Sequence, residues 1–362
     1  VILCVWLFSV VAGHAQLSLD ECRRLARENY PEIRQYDLVH QTEQYNLSNA
    51  ARAWIPQLAF SAQATWQTDA PNFPKELTGM LAQQGLEIPG LRKDQYKVAL
   101  ELNQTIWDGG KSVADKRIAR AEAAEQKTMT DVDLYELEGR VDDLYFGILL
   151  LDERIAQTNL TLNLLRSNLE KVRALQRNGV AMQSDADVLE AELLSVGQQL
   201  IQFESSCDSY RRMLGIFIGQ KVGDRKLQRP SAVQPLSGES ARPELAMFAA
   251  KIDRLTAQEK MVKSSSMPRL GFFAQGYYGY PGLDYMQGMM NSDWSWNAML
   301  GVKLSWNFGA YYTQKNNLDK LRTSRQQVEV QRDVFLFNMN LQAAQENGDI
   351  ARLRKAIADD DR

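Results

Sequence analysis

Residues with the means to do covalent or metal chemistry are few in this chain. Beyond residue 15 it holds two cysteines, Cys22 and Cys207, and one histidine, His40. A structural zinc site needs four sulfur or nitrogen ligands, and a nucleophilic triad needs a base beside a hydroxyl or thiol. Neither can be assembled from one histidine and two distant cysteines, nor do these form a disulfide framework. Gly109-Gly110-Lys111 is the nearest approach to a phosphate cradle, but it lacks the first glycine and the spacing of a P-loop and reads as a turn. Polar residues are spread along the chain without a convergent cluster, so an enzyme is the poorest reading, with no cofactor and no metal expected. Lys+Arg 42 against Asp+Glu 45 leaves a net charge of -3, which gives no basic footprint for nucleic acid. The chemistry left is geometric and electrostatic: polar and apolar surfaces held out by long elements.

Those elements are legible in order. VILCVWLFSVVAG (1–13), then Gly13-His14-Ala15 before Gln16, has the apolar run and small-residue cleavage site of a secretory signal, so 1–15 is expected to be one. It is too short for a comfortable membrane span, and Leu3 before Cys4 is too large for a lipoprotein cleavage site. LSLDECRRLARENYPEI (17–33) opens with Ser18 and Glu21, a capping-box pattern before a short helix that Pro31 interrupts. A second helix is expected over about 32–54.

The period then changes to two. Leu58, Phe60, Ala62, Ala64 and Trp66 alternate with Gln57, Ala59, Ser61, Gln63 and Thr65, predicting a strand at 57–66. After a Pro- and Gly-rich loop, Val98, Leu100, Leu102 and Ile106 alternate with Glu101, Asn103 and Thr105, predicting a second strand at 98–107 that ends in WDGG (107–110). A helical hairpin is expected over 111–214. Leu134, Leu137, Val141, Leu144, Ile148, Leu151, Ile155, Leu162, Leu165, Leu169 and Val172 form a stripe on its first arm. Unbroken, that arm is on the order of 100 Å long at about 1.5 Å per residue. Asn178-Gly179 stops it, and Ser184 with Asp187 reads as a capping box that restarts the chain as a helix. Leu189, Leu193, Val196, Leu200, Phe203, Cys207, Tyr210 and Leu214 then alternate steps of four and three, the seam of a left-handed coiled coil. Cys207 on that seam reads as a small buried hydrophobe. Residues 215–242 form an irregular connector.

The phrase then repeats. A helix opening at Pro243-Glu244 leads to PRLGFFAQGYY (268–278), which echoes PQLAFSAQATW (56–66). Strands are expected at 269–278 and 297–307, and a long helix from 311. The chain thus divides into a first repeat, 16–242, and a second, 243–362, each reading helix, strand, loop, strand, long helix. The second hairpin turn would fall beyond Arg362, so the expectation is a C-terminally truncated second copy. Two strand pairs with one apolar face need a partner, either a core or lipid. Six of the seven tryptophans (Trp54, Trp66, Trp107, Trp294, Trp296 and Trp306) flank or end the strands, as in the aromatic girdles of membrane barrels. A soluble β-sandwich with aromatic corners is the other reading. Four strands cannot close a channel, so the membrane reading requires several copies of the chain.

This arrangement resembles the TolC-like outer-membrane efflux proteins. The residues that carry the resemblance are 17–33, both strand pairs, the WDGG exit, and NGVAMQSDADVLEAELL (178–194) at the hairpin, with Gly179 followed by Ser184, Asp185 and Asp187. It covers 17–362. It implies a mainly α fold with membrane β: a homotrimer whose chains each give four strands to a twelve-stranded outer-membrane barrel, above a long periplasmic coiled-coil tunnel. It implies a Gram-negative outer-membrane location extending into the periplasm. The implied activity is passive export of small molecules or proteins, powered by an inner-membrane RND or ABC pump through a periplasmic adaptor (membrane fusion) protein. On that resemblance the lipid-facing strand residues are Leu58, Phe60, Leu100, Leu102, Leu270, Phe272, Leu300 and Val302. The lumen-facing ones are Gln57, Ser61, Gln63, Glu101, Asn103, Lys303 and Ser305. The tip offered to the adaptor is Gly179 and Val180 with Ser184, Asp185 and Asp187. Asp185 or Asp187 either adds charge at a pore constriction or forms a solvated helix N-terminus. WNFGAYYTQ (306–314) lacks the double glycine of the first copy, so the second strand-to-helix junction is expected to differ in shape. Two alternatives stand beside the duct: a periplasmic coiled-coil adaptor, and a non-conducting structural protein of the envelope.

Overall fold

The computed structural model describes residues 16–86, 88–230 and 241–360. The expected signal segment 1–15 and part of the connector therefore lie outside the described residues. The chain forms two compact units. One comprises the residues up to Val39 together with Gln126–Met247, and the other comprises His40–Glu125 with Phe248–Arg362. This division differs from the expected repeats 16–242 and 243–362, because both strand pairs lie in the second unit.

The first unit is helical. α1 (Leu19–Asn29) begins where Ser18 Oγ accepts the Glu21 N–H at 3.2 Å, and a short 3-10 turn at Pro31–Arg34 follows it. Glu21's own carboxylate does not close the box. It takes Arg24 instead, one turn along. The 67-residue α4 (Lys111–Arg177) turns back through α5 (Gln183–Ile218). Leu134, Leu137, Val141 and Ile148 are fully buried, and they meet Cys22 and Ala26 of α1, Leu214 and Ile218 of α5, and Val222 and Leu227. Every residue of the expected α4 stripe and of the α5 seam is at least half-buried. Burying one such aliphatic side chain contributes about 1.5–3 kcal/mol, which is why period, rather than helix propensity, holds these helices in place.

Polar anchors fix this core. The buried Tyr145 hydroxyl lies 2.8 Å from Leu17 O and 2.5 Å from Gln228 O, next to the parallel bridge between Leu17 and Leu227. Arg211 donates to Asp152 at 2.8 Å, to the carbonyls of Gly223 and Arg225, and to Cys207 Sγ at 3.3 Å. Cys207 is therefore buried but not purely hydrophobic. Burial raises its thiol pKa, and the Arg211 hydrogen bond opposes that shift. Burial pushes the Cys22 thiol up to about 12.

The second unit holds the sheet: α2 (Gln35–Arg52), β1 (Gln57–Trp66), α3 (Lys75–Gln83), β2 (Asp94–Trp107), α6 (Pro243–Ser265), β3 (Arg269–Tyr280), α7 (Tyr285–Met290), β4 (Ser295–Ser305) and α8 (Gly309–Asp360). The strands form one antiparallel meander in the order β1-β2-β3-β4, with β1 and β4 as open edges. Several bounds differ from the sequence reading. β2 starts earlier because Asp94 to Lys97, though polar, continue the ladder opposite Trp66 to Gln63. β4 ends at Ser305 because the Asn307 side chain accepts the Gly309 N–H at 3.0 Å and turns the chain into α8. α5 runs on to Ile218 and stops at left-handed Gly219. The loop helices α3 and α7 carry no long apolar period and were not foreseen. Buried Tyr280 ties their loops to the sheet, accepting the Arg92 N–H at 2.9 Å and donating to Gly288 O at 3.1 Å.

Replacing Tyr145→Phe removes the hydroxyl that sits between the buried Leu17 O and the part-buried Gln228 O. The expected loss is about 1–3 kcal/mol in denaturant unfolding of the helical unit. An unchanged midpoint would show that the hydroxyl is not an anchor.

Candidate functional site

The sheet register sorts the side chains onto two faces. Leu58 faces Leu102, Phe60 faces Leu100, Ala62 faces Val98 and Ala64 faces Tyr96. On the same side Leu102 meets Ala274 and Leu100 meets Gly276, then Leu270, Phe272 and Ala274 meet Leu304, Val302 and Leu300. All eight residues expected to face lipid share this one face. They lie mostly uncovered in the single chain, with Phe60 at 72% and Leu300 at 75% exposure. The opposite face carries Gln57, Ser61, Gln63, Glu101, Asn103, Lys303 and Ser305, all seven residues expected to face a lumen. Pleating alone makes this sorting, because side chains alternate across a strand.

Aromatic rings gather at both ends of the apolar face. At the loop end Trp294 stacks on Tyr96 at 5.8 Å between centroids, and Tyr278 lies 5.3 Å from Trp294 and 5.0 Å from Trp296. At the helix end Trp306 and Phe308 lie 4.7 Å apart, and the Trp306 indole N–H donates to Ser266 O at 3.0 Å. Among the described residues no helix is long and apolar enough to cross a membrane.

The polar face is less uniform than alternation implied. Phe273, Tyr277 and Met299 project on it among the polar side chains. The doubled aromatics Phe272-Phe273 and Tyr277-Tyr278 were the available signal, since an aromatic pair must put one ring on each face. Gln275 links β2 to β3 there: it accepts from Lys97 Nζ at 3.0 Å and donates to Glu101.

Where β2 meets α4, Asp108 organises the exit. Its carboxylate accepts the Gly110 N–H at 2.9 Å, the Ser112 N–H at 2.7 Å and the Ser112 hydroxyl. Gly109 and Gly110 are left-handed, at φ 70 and φ 86. A Cβ on Gly109 would also come within 2.7 Å of Met267 Cβ, so a side chain is excluded twice. The second junction reaches the same end by another backbone. Asn307 accepts from Gly309 as Asp108 accepts from Gly110, yet among the described residues no non-glycine and neither of these junction's residues Phe308 and Gly309 has positive φ. Read by letters, WNFGA (306–310) lines up with IWDGG (106–110), but the hydrogen bonds align Trp107-Asp108 with Trp306-Asn307, one residue away.

At the far end of the hairpin, Gly179 is left-handed at φ 74, and the Val180 N–H donates back to Leu175 O at 3.0 Å, closing α4. The expected cap at Ser184 with Asp187 is not formed. Met182 is the N-cap, and Asp185 reaches back to accept its N–H at 3.0 Å. The glycine turn releases the chain early enough for the helix to start at Gln183, which leaves Ser184 and Asp187 inside its first turns. Gly179, Val180, Ser184, Asp185 and Asp187 are all exposed here, and Met182 adds a second uncovered apolar side chain beside Val180. Among the described residues no group of His, Cys, Asp and Glu could hold a metal ion.

The family model described as "Outer membrane efflux protein" matches residues 23–219. In fold the chain is similar to the outer membrane protein VceC of Vibrio cholerae, with TM-score 0.63 and 14% identity, over 88% of this chain and 75% of that one. It is similar to the outer-membrane channel OprN, with TM-score 0.63 and 14% identity, over 88% of this chain and 71% of that one. The Campylobacter jejuni CmeC outer membrane channel gives TM-score 0.59 and 15% identity, over 88% and 68% of the two chains. Among curated proteins no sequence matches.

The Asp108 cap makes an acid-stability prediction. Burial raises its carboxyl pKa, but the Ser112 hydroxyl and the backbone N–H groups outweigh that and hold it below its ordinary 3.8. A lowered folded pKa means that the stabilisation is complete above the unfolded value and is lost as pH falls through the folded one. Thermal melts of Asp108→Asn should lie below the parent at pH 7 and converge with it in acid below about pH 3.8. A constant gap across that range would rule out an ionised cap.

Proposed function

This chain belongs to the outer membrane efflux protein family, and from that premise we propose that it is the passive exit duct of an export system in the outer membrane. The observation that carries the proposal is the two-faced sheet: a continuous apolar face left uncovered, a polar face behind it, and aromatic clusters at both ends. In water an exposed face of this kind destabilises the fold, and in lipid it is already at home. Its size fits a bilayer. Strands of about ten residues at ~3.4 Å each, tilted by ~40°, span about 25 Å, the height of a barrel's apolar band.

The open edges then require other copies. Unpaired backbone groups at β1 and β4 cannot stand in hydrocarbon, so closure must come from neighbouring chains. Four strands per chain in a homotrimer give a twelve-stranded barrel. Leu58, Phe60, Leu100, Leu102, Leu270, Phe272, Leu300 and Val302 then face lipid, and the polar face lines the lumen. The helices support the same reading. Val330, Val334, Phe337 and Leu341 on α8 lie exposed at steps of four, three and four, and Leu194 and Ile201 on α5 lie exposed a heptad apart. These are seams awaiting neighbouring helices, as in the wall of a tunnel. The Gly179–Val180 turn is the end that meets a periplasmic adaptor, which couples the duct to an inner-membrane RND or ABC pump.

Two measurements test this. Trimers of the full-length protein inserted in planar bilayers should carry ion current, and inserted trimers with no current would leave only a structural role in the envelope. Phe60→Arg or Phe272→Arg should cost about 2–4 kcal/mol of folding stability in bilayers if placed near the midplane, and less toward either surface. Full insertion and stability with Arg at both positions would reverse the assigned faces.

A further inference from the structure

Charge on the polar face of the sheet is lopsided. Lys97, Arg269 and Lys303 stand there against one carboxylate, Glu101, although the whole chain has net charge -3. Lys97 and Glu101 are joined through Gln275, and Lys97 Nζ also lies 4.6 Å from the centre of the Tyr277 ring. Two other carboxylates border the same groove, and both are engaged. Asp108 is held by Ser112 and Gly110, and Asp115 pairs with Lys111 at 2.7 Å. Arg269 and Lys303 have no hydrogen-bond or ion-pair partner among the described residues.

The ladder sets these two cations around a gap. Arg269 is opposite Ser305, and Lys303 is opposite Gly271, which makes the cations diagonal neighbours on one face. Diagonal pairs are about 7–8 Å apart at the backbone, within reach of a shared anion for side chains this long. Gly271 puts no side chain between Arg269 and Phe273, so a notch opens beside Lys303. Phe273 closes the other side, its ring laid over Gly301, where a Cβ would come within 3.0 Å of two ring atoms. Met299 stands one pair further along. These residues line one open cavity of about 590 Å³, within the range of small-molecule sites.

We propose that this notch is a lumenal subsite for aromatic anions in transit, the anionic head held between Arg269 and Lys303 and the ring against Phe273 and Met299. It rests on the reading that the polar face lines the duct, and it adds a solute class to that reading. A guanidinium and an ammonium with no carboxylate partner favour carboxylate or sulfonate heads over cations, while the aromatic wall favours a flat apolar body.

Single-channel recording of the full-length protein in planar bilayers tests it with two probes of one shape, 2-naphthalenesulfonate and 2-naphthylmethylammonium. The sulfonate is expected to block open-channel current at concentrations where the ammonium does not. The double variant Arg269→Gln/Lys303→Gln should weaken sulfonate block by about tenfold or more, the factor carried by one charge-assisted contact. Phe273→Leu should weaken it as well with both cations in place. In a KCl gradient the double variant should also shift the reversal potential away from anion preference. Conducting channels blocked equally by both probes, or a double variant blocked like the parent, would overturn the subsite and leave the duct standing. Inserted trimers without current would overturn the duct, and the subsite with it.

Discussion

A sheet with one apolar face and two unpaired edges has to be covered, and this requirement governs the rest of the molecule. The apolar residues of β1 and β4 are mostly open in the single chain, and so are the ladder groups along both outer strands. A core could satisfy the face but would leave the edges free, whereas closure into a barrel satisfies both at once. Placing the closed ring in lipid then turns the exposed apolar area from a liability into the anchoring surface. Everything else on the sheet follows from period two. On the proposed reading the residues that cannot face lipid face inward, and one register decides both the lumen's chemistry and its anchoring.

The helical unit solves a different problem with the same economy of pattern. Its long arms bury their own stripe and seam, yet carry further apolar positions on outer surfaces. The irregular connector is not held by such a stripe. Val222 and Leu227 anchor its described part in the core, and single polar groups fix the backbone between and beyond them: Tyr145 beside Gln228 O, and Arg211 on the carbonyls of Gly223 and Arg225. A buried tyrosine and a five-donor guanidinium are suited to this, because irregular backbone offers carbonyls in no regular array. Regular elements are therefore fixed by a repeated apolar stripe, and the irregular connector by two apolar anchors with directional polar bonds added to them.

That difference explains what could be read in advance. The order of the strands and long helices, the two sheet faces and the α5 seam were legible, because each is a repeated binary choice between apolar and polar. Met182 as the cap of α5 was not. Ser184 is the better cap by residue type, but the Gly179 turn sets where the helix can begin, and Asp185 can close on whichever backbone N–H lies three residues before it. The lie of Phe273 on the polar face was not legible for a related reason. Alternation puts it on that face, as the Phe272-Phe273 pair signalled, but the way its ring lies depends on Gly301 across the ladder having no side chain. Tyr145 was overlooked because its hydroxyl partners, Leu17 and Gln228, lie far away in sequence.

The two strand-to-helix junctions perform one physical task with different residues. The task is to satisfy the first N–H groups of a long helix just past the end of a strand. In the first copy Asp108 does it with a charged carboxylate and two left-handed glycines, one of them pressed against Met267. In the second, Asn307 does it with a neutral amide, and Phe308 stands where the first of those glycines would be. Phe308 can stand there because that backbone does not enter the left-handed region, and its ring joins Trp306 in the aromatic cluster at that end of the sheet. The second junction therefore lacks the tight glycine turn and has an aromatic side chain at the helix end of the sheet, where the proposed duct would leave the bilayer. The conserved quantity is not the residue but the hydrogen bond it makes, and this is why the structure aligns the two halves one residue away from where the letters do.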